Sequence, residues 1–279
     1  MAVSNLLQSA IGYPIEISSF NKHPNSNDND LCRLAGFSVT FLSLVSIFHL
    51  VGISLERFAI LRFPFKVRVA FKNPKFVLFI VIPSWFTGFI FSIPPLFGWS
   101  EYKRLQPDDF ACQLDIESRS WSSLSYLWSL LIMGFALPVF VITVTSIVNI
   151  RKVKALSTDV ATLGLTDRHT AIRRLNERNM TLMVLAIIAA FLIAWLPYAL
   201  CVIIYTNNGS VSDEFLNFAT LLAKTSTIYN PIIFTIRTKL TRNRFYSIKD
   251  LRSSFLSNIR LSSLLIGRMR NDSVEDDEL

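Results

Sequence analysis

A lysine in the middle of a long apolar stretch is the residue of this sequence that most directly suggests chemistry. Lys224 is the single Asp, Glu, Lys or Arg between Phe215 and Ile236, and at a helical rise of about 1.5 Å per residue it lies roughly 15 Å from either end. A cation at that depth costs about 2.5–3.5 kcal/mol or more, and the lysine stem is too short to reach water. Burial favours the neutral amine, which is the nucleophile that condenses with an aldehyde. The alternative role of Lys224 is a structural ion pair inside a helix bundle.

The elements that must position Lys224 are transmembrane helices. The chain has 279 residues, of which 51% are hydrophobic and 17% charged, whereas a soluble domain carries about 25% charged residues. Besides the stretch around Lys224, four runs without Asp, Glu, Lys or Arg reach the roughly 20 residues that a helix needs to cross a bilayer. They cover residues 35–55, 76–100, 120–150 and 179–212. The predicted fold is therefore all-α, a polytopic membrane helix bundle.

The charges of the chain predict how this bundle is oriented. Basic residues gather in 57–75, in 151–178 and after residue 237, whereas the connections 107–117 and 207–214 are acidic. By the positive-inside rule, the basic connections and the C-terminus face the cytoplasm. The net charge of +8 then indicates anionic membrane lipid and a cytoplasmic partner, and no nucleic acid.

The basic segments also carry predictions of local structure. We expect a Pro-containing loop up to Lys75 and a mobile loop within residues 151–178. Residues 239–251 mix basic and apolar side chains at helical spacing, which predicts an amphipathic helix on the inner membrane surface. The Ser-rich segment 252–279 ends in acidic residues and is predicted to be a disordered cytoplasmic tail.

Several motifs resemble, in order and spacing, those of the opsins, the retinal-binding members of the rhodopsin-like class A G-protein-coupled receptors. The opsin seventh helix is resembled by the stretch that contains Lys224, LLAKTSTIYNPIIF. The family's Glu/Asp-Arg-Tyr triplet corresponds to LERF at 55–58. The sixth-helix aromatic–proline switch is resembled by AWLPY at 194–198. The resemblance covers about residues 2 to 250. Rhodopsin-like receptors share most of these motifs, and Lys224 is the feature typical of opsins.

The resemblance implies a chromophore site. According to this resemblance, 11-cis-retinal would form a covalent Schiff base with Lys224. Light-driven isomerisation of the retinal would then move the sixth helix outward. The retinal pocket would include Thr40, Phe135, Trp195 and Tyr198, although ordinary helix packing is the alternative for each aromatic side chain. No metal site is expected.

The resemblance further implies a disulfide between Cys32 and Cys112, which would tie the third helix to the second outer loop. Both cysteines lie on the side assigned as extracellular, where oxidation is allowed.

A protonated Schiff base in an apolar pocket requires a nearby anion. Ala35 occupies the third-helix position where vertebrate visual opsins have Glu, and the outer-loop position used by many invertebrate opsins falls at Leu105 or Gln106. Glu16 is the remaining candidate, and an acid on the second helix makes the chain similar to cnidarian-type opsins. Asp108 and Asp109 are weaker candidates, and without any such acid the Schiff base would be unprotonated and would absorb in the ultraviolet. The alternative for Glu16 is a carboxylate at the membrane interface.

On the cytoplasmic side, the resemblance implies a coupling site. Arg57 would pair with Glu56 and Glu177, and breaking these pairs would open a groove for a G-protein helix; the alternative is a solvated charge cluster. Asn230 and Pro231 belong to the same site.

Two departures from the family pattern stand beside this coupling site. Phe234 replaces a tyrosine, and Ser146 stands where another tyrosine is common.

The predicted function is that of a light-activated receptor in the plasma membrane of a photoreceptor-type cell. Its partners would be a heterotrimeric G protein, of the stimulatory class by family resemblance, together with arrestin and a receptor kinase. The alternatives are a class A receptor for a diffusible ligand, and a retinal photoisomerase. The sequence carries no P-loop, HExxH motif or nucleophile–base pair, so no enzyme is predicted. Because we count five full spans and a partial one at the N-terminus, we expect the chain to lack the first helix and part of the second.

Overall fold

The computed structural model describes residues 1–21, 29–71, 73–104, 112–162, 168–207, 209–229, 231–233, 235–236 and 239. The chain divides into two compact units, Met1–Ile233 and Phe234–Leu279. The predicted tail, and the predicted amphipathic helix beyond residue 239, lie outside the described residues, as do Asn230 and Phe234. The fold that positions Lys224 is therefore that of the first unit.

The described part of the first unit is almost entirely helical. Its helices are α1 (Ala2–Leu7), α2 (Tyr13–Asn21), α3 (Asn29–Arg62), α4 (Pro64–Phe71), α5 (Pro74–Ser92), α6 (Trp121–Ser129), α7 (Leu137–Thr162), α8 (Arg168–Thr206) and α9 (residues 213–229). One π-helical segment, Gln8–Gly12, joins α1 to α2, and another, Leu130–Ala136, joins α6 to α7. A 3₁₀ turn, Pro94–Phe97, follows α5.

Four segments of the described residues are long and apolar enough to cross a membrane. They are Asp30–Arg62, Pro74–Phe97, Trp121–Ala155 and Asn176–Thr206. Each contains most of one uncharged run of the sequence, so the predicted all-α, polytopic membrane bundle is confirmed.

Helix α3 is the centre of this bundle, and small residues allow α5 to approach it closely. On α5, Ser84, Gly88 and Ser92 are buried at intervals of four residues and so form one face. A Cβ atom on Gly88 would lie 2.7 Å from Cγ2 of Val45 on α3, which is closer than two carbons can pack. The larger side chains of α5 point outward, as Phe79 does with 74% exposure. A small-residue face toward the bundle and an aromatic face toward lipid are typical of membrane helices.

A short antiparallel hairpin covers the predicted extracellular end of the bundle. Its strands are β1 (Tyr102–Lys103) and β2 (Gln113–Leu114), with Tyr102 opposite Leu114. The predicted disulfide is present, and Cys32 at the start of α3 is bonded to Cys112 beside β2. The Tyr102 hydroxyl donates to the carbonyl of Ser92 over 2.7 Å.

The hairpin belongs to an apolar cluster that joins distant parts of the chain. Buried side chains from β1, β2, α6, α8 and α9 pack together there, namely Tyr102, Leu114, Ile116, Tyr126, Leu127, Cys201, Val202, Tyr205, Leu216 and Ala219. We call this set the hairpin core. It packs the hairpin against α6, α8 and α9.

Ion pairing also holds the hairpin at its base. Lys103 Nζ lies 3.0 Å from the buried carboxylate of Asp115, which in turn accepts the backbone N–H groups of Glu117 and Ser118. Partial burial lowers the pKa of Lys103, but its hydrogen bond to Asp115 and the Asp115 charge outweigh burial, and the net shift is upward.

Both segments predicted as cytoplasmic loops are largely helical in the part of the chain that the structure describes, which corrects those predictions. Helix α4 occupies Pro64–Phe71 within the first predicted loop, because a proline at the first position of a helix lacks only an N–H that would be unpaired anyway. In the second, α7 continues to Thr162 and α8 begins at Arg168. That segment contains no proline and a single glycine, so little in it opposes helix formation.

Candidate functional site

An ion pair inside the bundle is the central feature of the candidate site. Lys224 Nζ on α9 donates to Oε1 of Glu16 on α2 over 2.6 Å. The Glu16 side chain is 7% exposed and that of Lys224 19%, so the pair is largely removed from solvent. A buried cation or carboxylate alone would be costly, and each partner here compensates the other.

The sequence of α9 explains why Lys224 faces inward. The buried residues of α9 recur at intervals of three and four, which marks one face of an α-helix. They are Leu216, Ala219, Thr220, Ala223, Ser226 and Thr227. Most are small, so α9 lies close to its neighbours, and Lys224 belongs to the edge of this face.

Beside the ion pair lies a mainly apolar cavity. Its wall comes from seven elements, namely α2, α3, β2, α6, the π-helical segment Leu130–Ala136, α8 and α9. All six residues predicted from the opsin resemblance lie on this wall: Lys224, Glu16, Thr40, Phe135, Trp195 and Tyr198. They come from positions as far apart as 16 and 224 in the chain, so the fold brings the predicted set together at one site.

Trp195 is held in the cavity wall by contacts on α8 and α9. Its indole Nε1 donates to the hydroxyl of Ser226 over 3.1 Å. Its ring stacks on Phe191, with centroids 5.7 Å apart, and meets Tyr198 edge-on at 6.2 Å. These contacts fix the ring's orientation and link α8 to the helix that carries Lys224.

Three polar residues of the site were missed by sequence reasoning. The Tyr13 hydroxyl donates to the backbone carbonyl of Lys224 over 2.7 Å. In the cavity wall, the Thr220 hydroxyl donates to Oε1 of Gln113 over 3.3 Å. Helical spacing could have suggested two of them, because Thr220 lies four residues before Lys224 and Tyr13 three before Glu16. No comparable signal marks Gln113, which lies on a strand of two residues.

The residues of the cavity fit retinal. An amine paired with a carboxylate, on an otherwise apolar and aromatic wall, matches an aldehyde with a long hydrocarbon body. Room for such a body depends on small residues: a Cβ on Gly134, in the same wall, would lie 3.1 Å from Cδ2 of Leu44.

The predicted coupling residues meet at the other end of α3. An Arg57 guanidinium nitrogen lies 3.0 Å from Glu56 Oε1, and another lies 4.0 Å from Glu177 Oε2 on α8. The Arg57 side chain is mostly buried, and its Nε atom has no hydrogen-bond partner among the described residues. Arg57 thus bridges α3 and α8 through one short and one long contact.

The chain resembles receptors over most of its length. The family model "7 transmembrane receptor (rhodopsin family)" matches residues 1–234. The chain is 32% identical over 214 residues to "Opsin-VA" of Rutilus rutilus, a match that covers 76% of this chain and 53% of the relative. It is 28% identical over 252 residues to "Blue-sensitive opsin" of Gallus gallus, covering 87% and 66%. It is 28% identical over 258 residues to "Rhodopsin, GQ-coupled" of Mizuhopecten yessoensis, covering 88% and 50%.

A solved structure shares the fold. The crystal structure of squid rhodopsin matches with a TM-score of 0.63 at 24% identity, over 74% of this chain and 57% of the squid chain. The chain spans about half to two thirds of the length of these curated relatives.

Proposed function

Because the chain belongs to the rhodopsin family of seven-transmembrane receptors, and within it to the opsins, we propose that it is a light-activated receptor that binds 11-cis-retinal as a Schiff base on Lys224. The observation that carries the proposal is the Lys224–Glu16 pair in the wall of an apolar cavity. A lysine that served structure alone would not require an adjoining cavity with residues of seven elements in its wall.

The residues of the cavity have distinct roles in this proposal. When bound, retinal supplies the absorption of light and a light-driven change of shape. Lys224 provides the attachment point, and the Glu16 carboxylate stabilises a positive charge on the Lys224 nitrogen. Thr40 and Phe135 form the wall and exclude water, which strengthens that electrostatic interaction.

Helix α8 connects the cavity to the cytoplasmic end. Trp195 is separated from Glu177 by 18 residues, or about 27 Å of helix, so a displacement at the cavity can be passed along one rigid element. The Arg57–Glu177 contact of 4.0 Å is longer than a hydrogen bond and is therefore weaker than the 3.0 Å contact between Arg57 and Glu56. A displacement of Trp195 that moves α8 away from α3 would break the Arg57–Glu177 contact and open a groove for a G-protein helix.

The remaining partners follow from the same proposal. The receptor would reside in the plasma membrane of a photoreceptor-type cell with its C-terminus in the cytoplasm, and it would act on a heterotrimeric G protein of the stimulatory class. Pro231, with Asn230 and Phe234, would contribute to that coupling. The segment 252–279 would be phosphorylated by a receptor kinase and captured by arrestin, because it contains several serines.

The first test is the absorption spectrum of the purified membrane protein reconstituted with 11-cis-retinal. We expect a light-sensitive band that disappears in Lys224→Ala and persists in Lys75→Ala, a matched loss of an exposed lysine outside the cavity. Borohydride reduction should attach retinal to the peptide that contains Lys224. A folded, disulfide-bonded preparation without such a band would contradict retinal binding and favour a diffusible ligand.

A second test separates signalling from isomerisation. Illuminated receptor should accelerate nucleotide exchange on purified G protein, and the stimulatory class should respond more than others. Bleaching followed by release of retinal, with no exchange on any G protein, would instead identify a retinal photoisomerase that uses the same cavity.

A further inference from the structure

Helix α2 contacts the same residue of α9 at two points. The Tyr13 hydroxyl donates to the Lys224 carbonyl over 2.7 Å, and Glu16 Oε1 accepts from Lys224 Nζ over 2.6 Å. Thr227, which lies on α9 itself, donates its hydroxyl to the same carbonyl over 3.1 Å. The Thr227 hydroxyl lies 3.4 Å from the Tyr13 hydroxyl. Backbone and side chain of Lys224 are thus both bound to α2.

The spacing of these residues on α2 makes the arrangement possible. Tyr13 and Glu16 are three residues apart and therefore lie on one face of α2. The tyrosine side chain has two rotatable bonds and a rigid ring, so it defines the separation between α2 and the α9 backbone. The lysine stem has four flexible carbons, and its amine can meet Glu16 in many rotamers unless the backbone beneath it is fixed.

The Tyr13 bond is not required to satisfy the α9 backbone. A carbonyl oxygen has two lone pairs, and in the interior of a helix one already accepts the N–H four residues further on. The Lys224 carbonyl therefore receives side-chain donors in addition to the bonds of an ordinary helix. What the Tyr13 hydroxyl adds is a link between two helices at the residue that carries the reactive amine.

We infer that Tyr13, together with Thr227, is a positioning residue that holds Lys224 in register with Glu16. This inference rests on the proposed function and deepens it, because the strength of the Lys224–Glu16 pair then depends on a hydroxyl that touches neither the amine nor the carboxylate. Loss of the hydroxyl weakens the pair and leaves the amine free for a larger fraction of the time. The expected change in amine reactivity is about 2- to 10-fold, the range typical of losing one intramolecular hydrogen bond.

The test compares Tyr13→Phe with Tyr229→Phe in the retinal-free chain. Tyr229 is a matched control, since its hydroxyl accepts from Thr225 over 2.8 Å on the same helix as Lys224. Formaldehyde with cyanoborohydride methylates accessible neutral amines, and the rate at Lys224 is read by peptide mass spectrometry. We expect methylation about 2- to 10-fold faster in Tyr13→Phe, faster also in Glu16→Gln, and unchanged in Tyr229→Phe.

A spectroscopic readout complements the labelling. After reconstitution with retinal, Tyr13→Phe should shift the absorption band and should lose it faster in hydroxylamine than the parent chain, whereas Tyr229→Phe should match the parent. A role of Tyr13 in folding alone would change the yield of pigment and leave its band position and hydroxylamine rate unaltered.

The outcomes distinguish this inference from the proposed function. Parent-like methylation and spectrum in Tyr13→Phe, with Glu16→Gln altered, would overturn the role of Tyr13 and leave the ion pair standing. Parent-like behaviour in Glu16→Gln as well would overturn the pair itself. If Tyr13→Phe does not fold, Thr227→Val removes the other hydroxyl from the same carbonyl, and a parent-like methylation rate there would also overturn the inference.

Discussion

Replacement of Glu16 by Gln tests the electrostatics of the site directly. The amide has nearly the shape of the carboxylate, but it removes the negative charge that lies 2.6 Å from Lys224 Nζ. Removing one partner of a buried ion pair costs about 3–5 kcal/mol, because the other charge stays buried without compensation. The Lys224 nitrogen of the Schiff base can release its proton, so this cost corresponds to a proton affinity of that nitrogen about 10²- to 10⁴-fold lower.

The assay is a pH titration of the absorption band in the retinal-loaded chain. A protonated Schiff base absorbs in the visible range and a neutral one in the ultraviolet. Loss of the anion destabilises the charged form, so the visible band of Glu16→Gln should disappear at a pH about 2–4 units lower than in the parent. Glu101→Gln is the matched control, since Glu101 is 58% exposed and contacts Lys103 at 3.7 Å.

The result that would refute this reasoning is a visible band in Glu16→Gln that titrates as in the parent chain. It would mean that another group balances the charge on Lys224. A titration displaced equally in Glu101→Gln and Glu16→Gln would instead indicate a general effect of net charge. Partial recovery of the visible band on adding formate would support the assignment, because a small carboxylate could occupy the lost anion's place.

Other contacts of α3 supply the remaining predictions. Gly88→Val should destabilise the chain by about 1–3 kcal/mol, because even its Cβ would lie 2.7 Å from Val45; thermal unfolding in detergent measures this, and an unchanged midpoint would contradict the packing argument. Cys112→Ala opens a cross-link between residues 80 apart in sequence and should cost about 4–5 kcal/mol, seen as loss of pigment on reconstitution; normal pigment yield would speak against it. Glu177→Gln should raise nucleotide exchange in the dark by no more than about fivefold, because a contact of 4.0 Å at Arg57 is worth at most about 1 kcal/mol; a tenfold rise would show that Glu177 does more.

Much of the fold and the site could be predicted from the sequence because the signals are local and strong. Uncharged runs of about 20 residues predict membrane helices whatever their packing. Lys224 stands out because an intramembrane cation is costly. Glu16 could be predicted as the anion beside Lys224 because Ala35, Leu105 and Gln106 are uncharged. Its position 2.6 Å from Lys224 Nζ supports that prediction.

The parts that could not be predicted depend on tertiary contacts or on weak backbone preferences. The spacing of Tyr13 from Glu16 suggests a shared helix face, but it does not indicate the partner of Tyr13, which is a backbone carbonyl 211 residues away. Gln113 meets Thr220 through a hairpin whose register no short motif specifies. The π-helical segment Leu130–Ala136 interrupts a helix without Pro, and π geometry has no clear residue signature. The helix Pro64–Phe71 and the helices on either side of residues 163–167 could not be told from loops, because a basic and polar composition occurs both in loops and in exposed helices.

The composition of the hairpin core has a consequence for biosynthesis. Its members Leu114 and Ile116 pack against Tyr205, Leu216 and Ala219, which the ribosome makes about 100 residues later. At ~5–20 residues per second, the hairpin is synthesised roughly 5–20 s before its apolar partners. During that interval its buried face is available to chaperones and to wrong disulfide partners. Conditions that slow translation of α8 and α9 should therefore increase misfolding of a segment that was completed long before them.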